Sequence, residues 1–193
     1  MKKIILLISI ILIIMPSIGI CKETDKIFLN ILLKVSSDNY KDREYAFNLL
    51  IKNRKMLADK LINNIKSNKN NPRVKELSIN LLGYYRIEEG INILLDNLHF
   101  QTTYSMKEKV TETMYPSVKA LIKIGSPVPD AIISYLTGEE DESTLRLLAV
   151  IIKNIDGVDL GIRRIELSEK KFKNSNKEAS LNRLKDILIK TWK

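Results

Sequence analysis

The sequence predicts an all-α chain of stacked helical hairpins, and two observations carry that prediction. The first is a recurrence of apolar anchors: Leu49, Leu81, Leu121 and Ile152 each end an amphipathic stretch, at steps of 32, 40 and 31 residues. Each is followed 15 to 17 residues later by a second anchor, at Ile65, Leu98, Leu136 and Leu167. The second observation is composition. Only 7 Gly, 5 Pro and 6% aromatics among 193 residues favour helices joined by short turns over strands. A helical hairpin of this length cannot bury its own apolar face, so it must lie against a neighbour, and an elongated stack is expected.

Taken in order, Phe28, Ile31, Leu32 and Val35 form an i, i+3, i+4, i+7 stripe that ends in the polar stretch from Ser36 to Asn39. Asp42 to Ile51 offers Ala46, Leu49 and Leu50, and a partner helix after Lys52-Asn53-Arg54 carries Leu57, Ala58, Leu61, Ile62 and Ile65. After a loop from Ser67 to Pro72, Val74, Leu77, Leu81 and Tyr85 make the next stripe, with Gly83 leaving room for close packing. Ile91, Leu94, Leu95 and Leu98 answer it. His99 to Ser105 is a longer connection. Val110, Met114, Val118, Leu121 and Ile124 keep helical spacing, with Pro116 kinking or restarting the helix. The turn Gly125-Ser126-Pro127 leads to Val128, Ala131, Ile132, Tyr135 and Leu136, and an acidic turn from Gly138 to Glu142 leads to Leu145, Leu148, Ala149, Ile152 and Ile155. Asp156-Gly157 ends that helix. Ile162, Ile165 and Leu167 begin another, and Leu181, Leu184, Leu188 and Trp192 form the last.

Residues 1–21 read as an export signal: Lys2 and Lys3 precede an apolar run from Ile4 to Met15 broken only by Ser9, then Pro16, Ser17 and Gly19. Ser17-Ile18-Gly19 fits an ordinary small-x-small cleavage site, whereas Ile18-Gly19-Ile20-Cys21 resembles a bacterial lipobox, with Ile20 where a small residue is usual. An uncleaved anchor is the third reading, because the stretch from Ile4 to Ile20 nearly reaches the roughly 20 apolar residues of a bilayer span. Cys21 is the only cysteine and the candidate lipidation site; beyond it there is no thiol for a disulfide, a zinc cluster or a nucleophile. The expected location is a bacterial envelope, periplasmic or anchored as a lipoprotein, with residues 22–193 as one repeat domain.

From Leu81-Leu82-Gly83 through Glu89-Gly90-Ile91 to Leu98, and from Ala120-Leu121-Ile122-Lys123-Ile124-Gly125-Ser126-Pro127-Val128-Pro129 to Leu136, the chain resembles HEAT-like repeats. The resemblance covers about Asp38 to Trp192 and implies a right-handed α-α superhelix of about four to five helical hairpins. Such units often place a basic residue three positions before a small one, and Arg43-Ala46, Lys75-Ser78 and Arg146-Ala149 match. The resemblance implies an inter-repeat ladder in which Arg43, Lys75 and Arg146 satisfy a carboxylate or turn carbonyl of a neighbour. The third unit departs, with Tyr115 and Val118 at those positions. The uneven steps disfavour tetratricopeptide-type repeats, whose period is fixed at about 34.

Chemistry is sparse. His99 is the only histidine, which excludes a metal site built on two imidazoles and leaves a general base or, more plainly, a packing residue. Glu139, Glu140, Asp141 and Glu142 lack the alternation and glycine of a calcium loop, and near a helix start they favour the positive end of its dipole. No catalytic, cofactor or metal residues are assigned. The formal charge of +9 is uneven: Gly161 to Lys193 holds 10 basic against 4 acidic residues. Arg163, Arg164, Lys170, Lys171 and Lys173 are therefore candidate contacts for an anionic membrane surface, whereas nucleic acid is not expected because no aromatics are interleaved with the lysines. Tyr84 and Tyr85, with Glu139 to Glu142, are candidate partner contacts. The leading expectation is a monomeric, non-catalytic protein-binding scaffold or adaptor of the envelope. An envelope inhibitor or immunity protein that blocks a toxin or hydrolase is the alternative, and a HEAT-like enzyme is third.

Overall fold

A computed structural model describes residues 30, 34, 38–67, 72–101 and 114–190. The leader with Cys21, the first predicted stripe at Phe28, Ile31, Leu32 and Val35, the segment with Val110, and Trp192 lie outside the described residues. Among the described residues the chain is all-α, with eight helices and no strand. By its contacts the chain divides into two compact units, Met1–Lys60 and Leu61–Lys193.

In the first unit, helix α1 spans Tyr40–Lys52. Asn39 caps it, its side-chain oxygen accepting from the Lys41 amide at 3.0 Å. Lys34 lies 3.7 Å from the Asp42 carboxylate and 4.2 Å from the Tyr45 ring centre. Ala46 is buried and Leu49 half-buried. Helix α2 spans Arg54–Lys66, and its Leu57, Ala58, Leu61 and Ile65 are buried.

The second unit contains α3 (Pro72–Tyr84), a 3-10 turn (Glu88–Gly90), α4 (Ile91–Leu95), α5 (Pro116–Ile124), α6 (Pro127–Tyr135), α7 (Glu142–Lys171) and α8 (Lys177–Lys190). Proline opens α3, α5 and α6, where its missing N–H costs nothing and its fixed φ is already helical. Pro116 thus starts a helix where the spacing also permitted a kink. Asp141 caps α7, accepting from the Thr144 amide at 2.7 Å. Gly157 interrupts α7 with φ 76° and ψ 178°, a backbone region open essentially to glycine alone. The sequence places a helix end at this residue, and the backbone breaks there: α7 is two helical segments that meet in a kink at Gly157.

Contacts in this unit run in sequence order. Helix α3 packs along α5, α5 against α7, α4 against both α5 and α6, α6 against α7, and α8 against α7. Leu94, Leu95, Leu98, Leu121, Ile132, Leu136, Leu148, Ile152, Leu184 and Leu188 form its apolar interior. Each helix meets the next or the next but one, an order compatible with a helical-repeat fold.

Two predicted faces are corrected. On α3 the fully buried positions are Ser78, Ile79, Leu82 and Gly83, while Val74, Leu77, Leu81 and Tyr85 are only half-buried. The helix is rotated by the close approach at Gly83, where an added Cβ would lie 2.5 Å from the Ala120 Cα on α5. On α7, Leu167 is 68% exposed and is no seam anchor. Ile165 and Gly161 hold the buried side of that stretch, and Leu167 lies across the helix from them.

Candidate functional site

The acidic turn between α6 and α7 has a different role from the one its charge suggests. The Glu140 carboxylate folds inward: one oxygen accepts from the Thr137 amide and from the Thr137 hydroxyl at 2.8 Å, the other from the Gly138 amide at 3.2 Å and the Ser180 hydroxyl of α8 at 2.5 Å. Ser180 is fully buried and Glu140 half-buried, so this bond ties the turn to the inner side of α8. Burial pulls the Glu140 carboxyl upward, but the hydrogen bonds from Ser180 and Thr137 outweigh it and bring its pKa down to about 2. Asp141 is held at about 2 chiefly by its bonds from the Ser143 hydroxyl and the Thr144 amide. Glu142 pairs with Arg146 of its own helix at 2.6 Å. Of the four candidate acidic contacts, Glu139 alone keeps its carboxylate clear of these bonds, and it is exposed.

The proposed ladder residues make local contacts. Arg146 reaches Glu142 one turn back, and Arg43 donates to the Asp38 carbonyl at 2.9 Å, five residues back. Lys75 on α3 lies 4.9 Å from the Phe100 ring centre beyond α4, a contact to an aromatic face instead of a carboxylate. The links between successive helices are made by cations that the sequence assigned to an outer surface or left unassigned. Arg164 donates to Asp156 at 2.7 Å and to Asp130 of α6 at 2.5 Å. Lys177 donates to the Ser134 carbonyl at the end of α6 at 2.6 Å, and Arg183 to the Glu140 carbonyl at 2.8 Å. Lys185 pairs with Glu169 across α7 and α8 at 2.7 Å. The Arg164 guanidinium thus serves two carboxylates and links α7 to α6.

Arg164 and Asp130, Lys177 and Ser134, and Arg183 and Glu140 lie 34 to 43 residues apart in sequence, so no local motif announces these pairs. The one available signal was the pairing of an interior-facing Asp156-Gly157 break with a basic residue two turns on. Asp156 is 11% exposed and Asp130 is 70% exposed. Truncating Asp156 to alanine is expected to cost about 1–2 kcal/mol and Asp130 to alanine under about 1 kcal/mol in urea unfolding, because solvent screens the outer pair.

The remaining candidates stay at the surface. Tyr84 is 64% exposed and meets the half-buried Tyr85 edge-on, ring centres 5.0 Å apart at 85°. Burial, with a smaller effect of Tyr84, pushes the Tyr85 phenol far up. Arg163, Lys170, Lys171 and Lys173 are exposed. His99 makes a packing contact: its Nε2 lies 2.8 Å from the Thr144 hydroxyl, and its ring meets Tyr115 edge-on at 6.5 Å. Among the described residues no group of three His, Cys, Asp or Glu could hold a metal, and no helix is long and apolar enough to cross a membrane. No protein-family profile, no curated protein and no solved structure matches this chain.

Proposed function

We propose that this chain is an exported, non-catalytic protein-binding scaffold of the bacterial envelope, built from HEAT-like hairpins. Export rests on the charged start and apolar run of residues 1–21. The repeat reading is supported by the sequential packing of α3 to α8 and by basic residues that tie α7 and α8 to α6. The observation that carries binding is the Tyr84-Tyr85 pair. One ring stands in solvent while the other anchors it from below, and the adjacent Gly83 fixes the end of α3 against Ala120. A preordered, exposed tyrosine loses little side-chain freedom on binding, which is why such residues dominate interface energetics. The inhibitor alternative would draw on the same tyrosines, because the acidic turn is largely engaged in internal bonds.

A photoreactive amino acid placed at Tyr84 is expected to give one discrete adduct in envelope preparations, and the same group at Asn80, one turn back, none. Tyr84→Ala should weaken binding of the protein so captured by about 30-fold with its melting temperature unchanged. A diffuse smear of adducts, or full affinity retained by Tyr84→Ala, would sink the proposal.

A further inference from the structure

The second half of α7 turns an unusual stripe to solvent. Leu160 and Leu167 are 61% and 68% exposed. Seven residues apart, they lie within about 20° of each other around the helix axis. Arg163 and Lys170 each follow a leucine by three residues and Lys171 follows Leu167 by four, so all three border the same line, and all are exposed. Gly161 and Ile165 are buried on the opposite side. The exposed acids of this stretch, Asp159 and Glu166, project from one flank, Glu169 is paired with Lys185 of α8, and Arg164 on the other flank is held by Asp156 and Asp130. Lys173 extends the basic character past the helix end. The centre of an exposed helical arc is where polar residues are ordinarily found; here it holds two leucines edged by cations.

We propose that this stripe docks on an anionic lipid surface, with Leu160 and Leu167 entering the headgroup boundary and Arg163, Lys170, Lys171 and Lys173 pairing with lipid phosphates. The pattern of an apolar line edged by Lys and Arg is that of helices lying in a membrane interface, where long basic side chains reach the headgroups as the apolar ones sink. Charge complementarity selects anionic lipid, each cation near such a surface raising binding by about fivefold. Size argues against a protein groove. From Leu160 to Lys171 the stripe runs roughly 16 Å and is one helix wide, far below the roughly 800 Å² per partner of a stable protein interface. A flat lipid surface needs no matching concavity.

The test uses the full chain with an environment-sensitive dye carried on an unnatural side chain at position 167, so that insertion of the stripe is read separately from any insertion of residues 1–21. On vesicles with 30% phosphatidylglycerol in low salt, the dye is expected to shift to the blue and to be quenched by acyl-chain quenchers, and the same dye at Asn182 on α8 to stay in water. The bound fraction reported at 167 should fall at least tenfold in high salt and at least tenfold in the double variant Lys170→Glu, Lys171→Glu, whose exposed positions leave folding intact. A dye at 167 that stays in water while the vesicles bind, or that shifts equally on neutral phosphatidylcholine, would overturn the proposal. So would a shift produced by a polyglutamate peptide and by no vesicle, which would assign the stripe to an acidic protein.

Discussion

Replacing Gly83 with alanine is expected to destabilise the second unit by ~3 kcal/mol and to lower its melting temperature by on the order of 10 °C. In an isolated helix the same change would stabilise, since alanine is favoured over glycine by about 1 kcal/mol. The sign reverses because the new Cβ would lie 2.5 Å from the Ala120 Cα and 3.1 Å from its carbonyl oxygen. Those are backbone atoms and cannot rotate aside, so α3 must lift from α5 and loosen Ile79 and Leu82 beneath it. Ala120→Gly in the same chain is expected to restore only part of the loss, because it removes the side-chain contact at 2.8 Å and leaves the backbone one. Circular dichroism melts of the two variants and of exposed Asn80→Ala check this. A neutral or stabilising Gly83→Ala would show that the helices are not in that contact.

Glu140→Ala is expected to cost ~3 kcal/mol, an unusual loss for one residue of a surface turn. It removes four hydrogen bonds and strands the buried Ser180 hydroxyl, a penalty of about 1–3 kcal/mol by itself. Because both side chains serve one bond, Glu140→Ala combined with Ser180→Ala should cost clearly less than the two singles added. The same carboxylate sets a pH dependence. Its folded pKa, about 2, lies below the ordinary 4.5, so its stabilisation is fully present at neutral pH. It is lost as the pH falls from about 4.5 toward 2. Asp141, also held at about 2, adds in the same direction. Urea midpoints measured between pH 7 and pH 2 should fall through that window, and Glu140→Gln should flatten the fall.

What the sequence made legible was punctuation. Pro116 and Pro127 start helices where they stand, Gly125 with φ 89° closes α5, and Gly157 breaks α7, because proline and glycine act on their own backbone whatever surrounds them. Facing was legible only in part. Periodicity placed Leu81 and Leu167 in the seam, yet the approach at Gly83 turns α3 toward Ile79 and Leu82, and Leu167 lies outside. A period reports that a stripe exists, while the neighbouring helix decides which way it turns. The inter-helix links were illegible for a further reason. Arg164 with Asp130, and Glu140 with Ser180, are joined by the return path of the chain across whole hairpins, and nothing near either residue specifies the other. Charge alone marks Arg164 as one more cation of a basic segment and says nothing of the two carboxylates it meets.

A helix packed against one neighbour only ordinarily opens before the rest. Here Lys177 and Arg183 bind α8 to carbonyls of α6 and of the turn after it, and Arg164 binds α7 to α6. Opening the last helix therefore breaks contacts two elements deep. Its amide protons should exchange with deuterium at rates near those of α6, without the fraying gradient of an uncoupled end, so that the carboxy-terminal three helices melt as one cooperative block.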